Sequence, residues 1–221
     1  MRFWKVKNMK LFNKIILCLL ASLSFAATSF AADEAPDQLI KRLSQEILDI
    51  AKADKDIQSG NQKRVFELVE AKVLPYIDFT RMTSLATGKN WRDASPEQQK
   101  QLINEFRTLL VHTYSGAISQ IKDQKVEFKP FRGAPEDTEV EVKSQVIQAR
   151  GEPLQLSYRL AKSATGWKIY DINVLGAWLV ETYKGSFAAE VTKSGIDGLV
   201  KTLVEKNKKL ATAAVSKTAA K

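Results

Sequence analysis

Residues 166–183 read GWKIYDINVLGAWLVETY. This stretch decides the fold because its apolar period changes part-way along. From Trp167 to Val174 the spacing is that of a strand; Leu179, Tyr183 and, beyond the stretch, Phe187 follow at helical spacing. Simple alternation puts Trp167 and Ile169 on one strand face and Tyr170, Ile172 and Val174 on the other. An antiparallel sheet with one wet face does not need apolar side chains on both. Acid–base chemistry does not explain them, because Asp171 and Glu181 are the only acids nearby. The excess of aromatic and aliphatic surface points to a cavity for an apolar ligand.

Three more strand signals precede this one, at 125–131, 138–149 and 153–162, and the fourth strand is 167–174. Gly133-Ala134-Pro135, Arg150-Gly151 and Ala164-Thr165-Gly166 supply the turns. Val140, Val142 and Val146 alternate with charged residues, and Leu156, Tyr158 and Leu160 alternate with Gln155, Ser157 and Arg159. Such short, consecutive strands predict an antiparallel meander with one buried face.

Helices flank it. Leu39, Leu43, Ile47, Ile50 and Ile57 give one helix over 36–58, stopped by Ser59-Gly60-Asn61. Val65, Phe66, Val69 and Val73 give a second, ending before Pro75. Asp78 reads as the N-cap of a short helix carrying Phe79, Met82 and Leu85, closed by Gly88. Ser95-Pro96-Glu97-Gln98 is a capping box with proline at the first helical position. The helix it opens is expected to reach about Ile121, with Leu102, Phe106, Leu109, Leu110 and Tyr114 facing inward. Two helices close the domain, one with Leu179, Tyr183 and Phe187 and one with Ile196, Leu199, Val200 and Leu203. The fold class is therefore α+β: a curled antiparallel sheet of about four strands, with helices on its concave face enclosing an apolar pocket.

The ends read differently. Residues 1–31 hold five basic residues, a thirteen-residue apolar run from Ile15 to Ala27, and Ser29-Phe30-Ala31. That is the pattern of a secretory signal peptide cleaved near Ala31, too short in its apolar run to span a bilayer. Cys18 would leave with it, so the mature chain has no thiol. The net charge of +9 falls to +4 without the leader, and to −1 without Lys206, Lys208, Lys209, Lys217 and Lys221. The folded part, 32–206, thus lacks the basic clustering of a nucleic-acid surface. Residues 207–221 are expected to be a disordered basic tail.

Catalytic patterns are scarce. His112 is the only histidine and falls off the inward helical stripe. No glycine-rich phosphate loop and no metal-ligand spacing occurs, so no cofactor is expected. Asp78 and Asp171 are the best carboxylates. As a general acid–base pair they would serve an enzyme; as structural groups they would cap a helix (Asp78) and hold backbone or an arginine (Asp171).

Several motifs together resemble the MlaC (toluene-tolerance) family. They are Leu74-Pro75-Tyr76-Ile77-Asp78-Phe79, Gly88-Lys89-Asn90-Trp91 with Ser95-Pro96-Glu97-Gln98, Phe106-Arg107 with Tyr114, and Tyr158-Arg159-Leu160. Gly166-Trp167-Lys168 with Tyr170-Asp171, Gly176 with Leu179-Val180, and Tyr183 with Phe187 complete the set. The resemblance covers about 37–205. It implies a monomeric, non-enzymatic periplasmic carrier of diacyl phospholipid in a Gram-negative cell. Such a carrier would shuttle lipid between an outer-membrane lipoprotein–porin complex and an inner-membrane ABC transporter with a lipid-binding substrate ring, maintaining outer-membrane asymmetry. Acyl chains would lie against Val140, Val142, Val146, Leu156, Tyr158, Leu160, Ile169, Ile172 and Val174 on the strands. From the helices they would meet Phe79, Met82, Phe106, Leu110, Tyr114, Leu179, Tyr183 and Phe187. Trp178 stands where many members carry Ser, so a narrowed or reshaped pocket is expected; Lys184 stands where many carry Arg. An NTF2-like enzyme using Asp78 or Asp171 as base and a module binding lipoproteins or peptides remain the alternatives.

Overall fold

Alternation at β-spacing builds one antiparallel sheet, a meander in the order β1 (Lys125–Phe128), β2 (Glu139–Ile147), β3 (Leu154–Ser163), β4 (Gly166–Val174) and β5 (Ala177–Trp178). The computed structural model describes the backbone of residues 34–148 and 151–219; the expected signal peptide and its cleavage point lie outside the described residues. The fifth strand is a two-residue hairpin return that the sequence pattern did not register. Where β5 leaves the edge of β4 uncovered, Ile77 pairs with Ile169, and the Asp78 N–H donates to the Ile169 carbonyl at 2.8 Å.

β4 breaks the simple alternation. Arg159 lies opposite Asp171 but Leu160 lies opposite Ile169, so Tyr170 is an extra, bulged residue. The bulge shifts the phase of the strand by one. Trp167 and Ile169 before it therefore share a face with Ile172 and Val174 after it, and only Tyr170 points the other way. That corrects the two-faced reading of this strand. There Tyr170 donates to Glu139 Oε2 at 3.0 Å and lies under the Arg81 guanidinium, 3.8 Å from its ring centre. Arg81 also pairs with Glu139 at 2.7 Å, which holds that carboxyl below its usual range.

The helices are α1 (Pro36–Ala53), α2 (Lys55–Gln58), α3 (Gln62–Lys72), α4 (Phe79–Thr87), α5 (Pro96–Tyr114) and α6 (Leu179–Ala219). The expected single helix over 36–58 is broken at Asp54, whose side chain accepts from the N–H groups of Asp56 and Ile57 and starts a new turn. The capping box of α5 is formed as read: Gln98 N–H donates to Ser95 Oγ at 3.2 Å, and Ser95 N–H to Gln98 Oε1 at 2.9 Å. Helix α5 stops at Tyr114 instead of Ile121, and Ser115–Gln120 tightens into a 3-10 turn. Helix α6 kinks at Gly195, whose φ of 70° only glycine adopts freely, giving arms 179–194 and 196–219. The segment 207–219, expected to be disordered, continues this helix, because Asn207 and Leu210 pack it onto its neighbours.

Three apolar groups result. Helices α4, α5 and α6 share one, built on Met82, Leu102, Phe106, Leu109, Tyr183, Phe187, Leu199 and Leu203. A second joins Leu39, Ile40 and Leu43 of α1 to Val142, Leu160, Trp167 and Ile169 of the sheet. The third gathers Ala51, Ile57, Val65, Leu68 and Val69 around α2 and α3.

Candidate functional site

Between the apolar sheet face and the helices lies a cavity of about 1390 Å³, beyond the ~300–1000 Å³ usual for drug-sized ligands. Its sheet wall is Val126, Val146, Leu154, Leu156, Tyr158, Ile169 and Ile172. Helix α1 supplies Ile40, Leu43, Ser44, Ile47 and Leu48 opposite. The end of α5 and the turn after it add His112, Thr113, Gly116, Ala117, Ile118 and Ile121, and α6 adds Leu210 and Ala213.

The cavity follows from register. Leu154 opens β3, Ile147 closes β2 and Val174 closes β4, so these ends lie together. At this end the sheet and α1 stand apart. At the other end Val142, Leu160 and Trp167 meet Leu39, Ile40 and Leu43 and close the gap. Polar groups gather away from that floor: Ser59, Asn61, Gln62, Ser119, Gln120, Gln124 and Gln148 also line the cavity. Tyr158 is the polar exception inside, its hydroxyl pushed up by burial and eased by the hydroxyls of Ser144 and Ser44.

The residues expected at the site divide. Val146, Leu156, Tyr158, Ile169 and Ile172 line the cavity. Val140, Val142 and Leu160 share their face but pack in the closed floor with α1. Val174 pairs with Leu156 at the end of β4 and is half-buried. Phe79, Met82, Phe106, Leu110, Leu179, Tyr183 and Phe187 belong to the helical group of α4, α5 and α6. There Phe106 meets Tyr183 and Phe187 edge-on at 4.9 and 5.1 Å. Tyr114 is 39% exposed at the end of α5, beside Tyr183, whose hydroxyl burial and Tyr114 push up to about 12. The cavity residues of α1 were read only as helix core, because a helical stripe looks the same whether it meets protein or a void.

Other expectations change place. Trp178 does not narrow the cavity: it pairs with Asn173 on the opposite sheet face and stacks on Arg159 at 3.8 Å. His112, expected on the surface, is half-buried edge-on against Phe66 at 4.9 Å and lines the cavity. Asp78 caps α4 by accepting the Arg81 N–H at 2.9 Å. Asp171 is 1% exposed and accepts the N–H groups of Ile172 and Val180, with Arg159 at 3.5 Å. Both carboxylates thus hold the structural partners expected of them. Among the described residues no three of His, Cys, Asp and Glu gather as metal ligands.

The family model described as "MlaC protein" matches residues 41–205. The chain belongs to the MlaC family. Similar family members include the intermembrane phospholipid transport system binding protein MlaC of Haemophilus influenzae, 21% identical over 80% of this chain and 87% of that one. The toluene tolerance protein ttg2D of Pseudomonas putida is 24% identical over 82% of this chain and 83% of its own length. Among solved structures, a phospholipid-binding protein from Ralstonia solanacearum, in complex with a phospholipid, is 45% identical. It superposes with a TM-score of 0.76 over 81% of this chain and 99% of its own.

Proposed function

We propose that this chain is a periplasmic phospholipid carrier whose acyl chains occupy the cavity between α1 and the sheet. The observation that carries the reading is the cavity itself: large, apolar on both walls, closed at the Leu160 end and polar at the other. The phospholipid bound by the Ralstonia solanacearum relative supports the ligand class. Burying acyl carbon is worth about 0.8 kcal/mol per CH₂, so two chains of about sixteen carbons would cost on the order of 25 kcal/mol to expose. The cavity has to replace nearly all of that, since its competitor is a bilayer, but it need not exceed it. A carrier that held lipid far more tightly than a membrane could not unload.

Within the cell it would move lipid between an outer-membrane lipoprotein–porin complex and an inner-membrane ABC transporter. Such a carrier needs no catalytic base, in keeping with two best carboxylates committed to backbone N–H groups. Native mass spectrometry of the mature protein, purified without detergent and followed by solvent extraction, tests this. A stoichiometric mass increment that resolves into diacyl phospholipid is expected. A bare protein that also takes up none from vesicles would overturn the reading.

A further inference from the structure

We propose that three hydroxyls deep in the cavity, those of Ser44, Ser144 and Tyr158, form a recognition site for a neutral hydrogen-bonding group on an acyl chain, such as a mid-chain hydroxyl. The inference rests on the carrier reading above and adds to it a preference among lipids.

Register builds the site. On β2, Val142 packs in the floor and Val146 lines the cavity, so Ser144 between them is on the same face. Its partner on β3 is Leu156, a cavity residue. Tyr158, two positions further on, is its diagonal neighbour, within reach of a long side chain. Ser44 enters from α1, next to Leu43, which belongs to both floor and cavity wall. The Tyr158 hydroxyl lies near both serine hydroxyls. The geometry nevertheless stops short of a bond to Ser144, whose Oγ has no hydrogen-bond partner although the residue is 1% exposed.

Packing does not ask for these hydroxyls. Valine fills the other inward places of β2, at 140, 142 and 146, and serine at 144 departs from the strand's own pattern. A buried hydroxyl without a partner is unfavourable by about a tenfold change in an equilibrium constant. Each hydroxyl donates once and accepts up to twice, so the three together offer more than they can use on one another.

Depth decides which part of a lipid they meet. Tyr158 is four residues from Leu154 at the polar end of the cavity and two from Leu160 in the floor. About 13 Å of strand therefore separates it from the polar end. With the headgroup there, the glycerol esters stay near the mouth and hydrocarbon reaches the hydroxyls. A plain chain leaves Ser144 without a partner; a chain carrying a hydroxyl or keto group supplies one. An ionised group does not fit. Among the described residues no Asp, Glu, Lys or Arg lines the cavity, and a carboxylate held by hydroxyls alone would lose its hydration without a counter-ion. His112, the one imidazole on the wall, stands edge-on to Phe66 at the α5 end.

The test incubates the mature protein with excess vesicles of equal parts dioleoyl and diricinoleoyl phosphatidylcholine, whose chains differ only in a mid-chain hydroxyl. Native mass spectrometry then reads the ratio of the two lipids bound. A bilayer also disfavours a hydroxyl among its chains, so enrichment in the wild type alone decides nothing. Ser144→Ala and Tyr158→Phe draw on the same vesicles and cancel that contribution. The ratio is expected to be about tenfold higher in the wild type than in either variant, and the comparison stands on either variant alone. Loaded with the dioleoyl lipid, Ser144→Ala should resist urea at least as well as the wild type, because the deleted hydroxyl had no partner. The same ratio in all three proteins would overturn the site. So would a lower urea midpoint for Ser144→Ala, which would mean that water or Tyr158 already satisfies the hydroxyl. A protein that takes up neither lipid overturns the carrier reading, and this site with it.

Discussion

Asp171 caps the helix that follows its own strand: its Oδ1 accepts the Val180 N–H at 3.1 Å and the Ile172 N–H at 2.9 Å. The contact joins the sheet to the first turn of α6, where a carboxylate also suits the helix dipole. Asp171→Ala would leave two buried donors without an acceptor. A loss of about 2–4 kcal/mol is expected, against about 1 kcal/mol for Asp171→Asn, which keeps an oxygen in place. Urea unfolding of the two variants checks this. Equal losses would mean that the acceptor is not what the position supplies, and lost lipid binding in the Asn variant alone would revive a chemical role.

The same residue sets a pH dependence of unusual sign. Burial pushes the Asp171 carboxyl above its ordinary 3.8, against the pull of the Val180 and Ile172 N–H groups. The folded state therefore holds this proton more firmly than the unfolded one. Its contribution to stability must fall as pH rises from the unfolded value through the folded one. The stability difference between wild type and Asp171→Asn should shrink over that window and level off above it. Denaturant unfolding at steps from about pH 3.5 to about pH 7 reads it. A difference that grows with pH would show that the hydrogen bonds outweigh burial.

Leu175 occupies a place that neither backbone nor core favours. It has a φ of 53°, next to Gly176 at 89°, at the β4–β5 turn, and is 71% exposed. Positive φ at both central residues is a turn that asparagine or aspartate followed by glycine fills best. Leu175→Asn should stabilise the protein by about 0.5–1 kcal/mol. Thermal unfolding should then rise by about 1–4 °C in a protein of this size. A lower transition would mean that the Leu175 side chain makes contacts worth more than the backbone strain.

Local chemistry was legible in the sequence and long-range spacing was not. The Ser95–Gln98 box, the Asp78 cap and the turn at Gly88 depend on a few neighbouring residues, and all formed where they were read. The bulge at Tyr170 escaped because alternation alone cannot count an extra residue; Glu139 and Arg81, which engage it, lie far away in the chain. Asp54 looked like another polar residue on a helix until its carboxylate took Asp56 and Ile57 N–H groups from the helix pattern. The cavity was foreseen as excess apolar surface, but its place depends on where α1 stands off the sheet. No single stripe encodes that distance, which is why Phe106, expected against the acyl chains, is packed core, while Leu43, read only as helix core, is cavity wall.

That distinction can be measured. Leu156 lines the cavity, whereas Phe106 is fully buried between Tyr183 and Phe187. Leu156→Trp adds bulk to open space, so the usual strain of overpacking should not arise and stability should change by less than about 1 kcal/mol. The occupied volume would still be denied to acyl chains, and the lipid recovered per protein should fall. Phe106→Ala should do the reverse. Losing a buried aromatic costs about 3–5 kcal/mol, yet the cavity wall stays intact and the surviving folded protein should keep its lipid. Native mass spectrometry and denaturant unfolding on both variants separate the two effects. Lipid lost from the Phe106 variant under conditions where it remains folded would move the ligand from the sheet face into the α4–α5–α6 group.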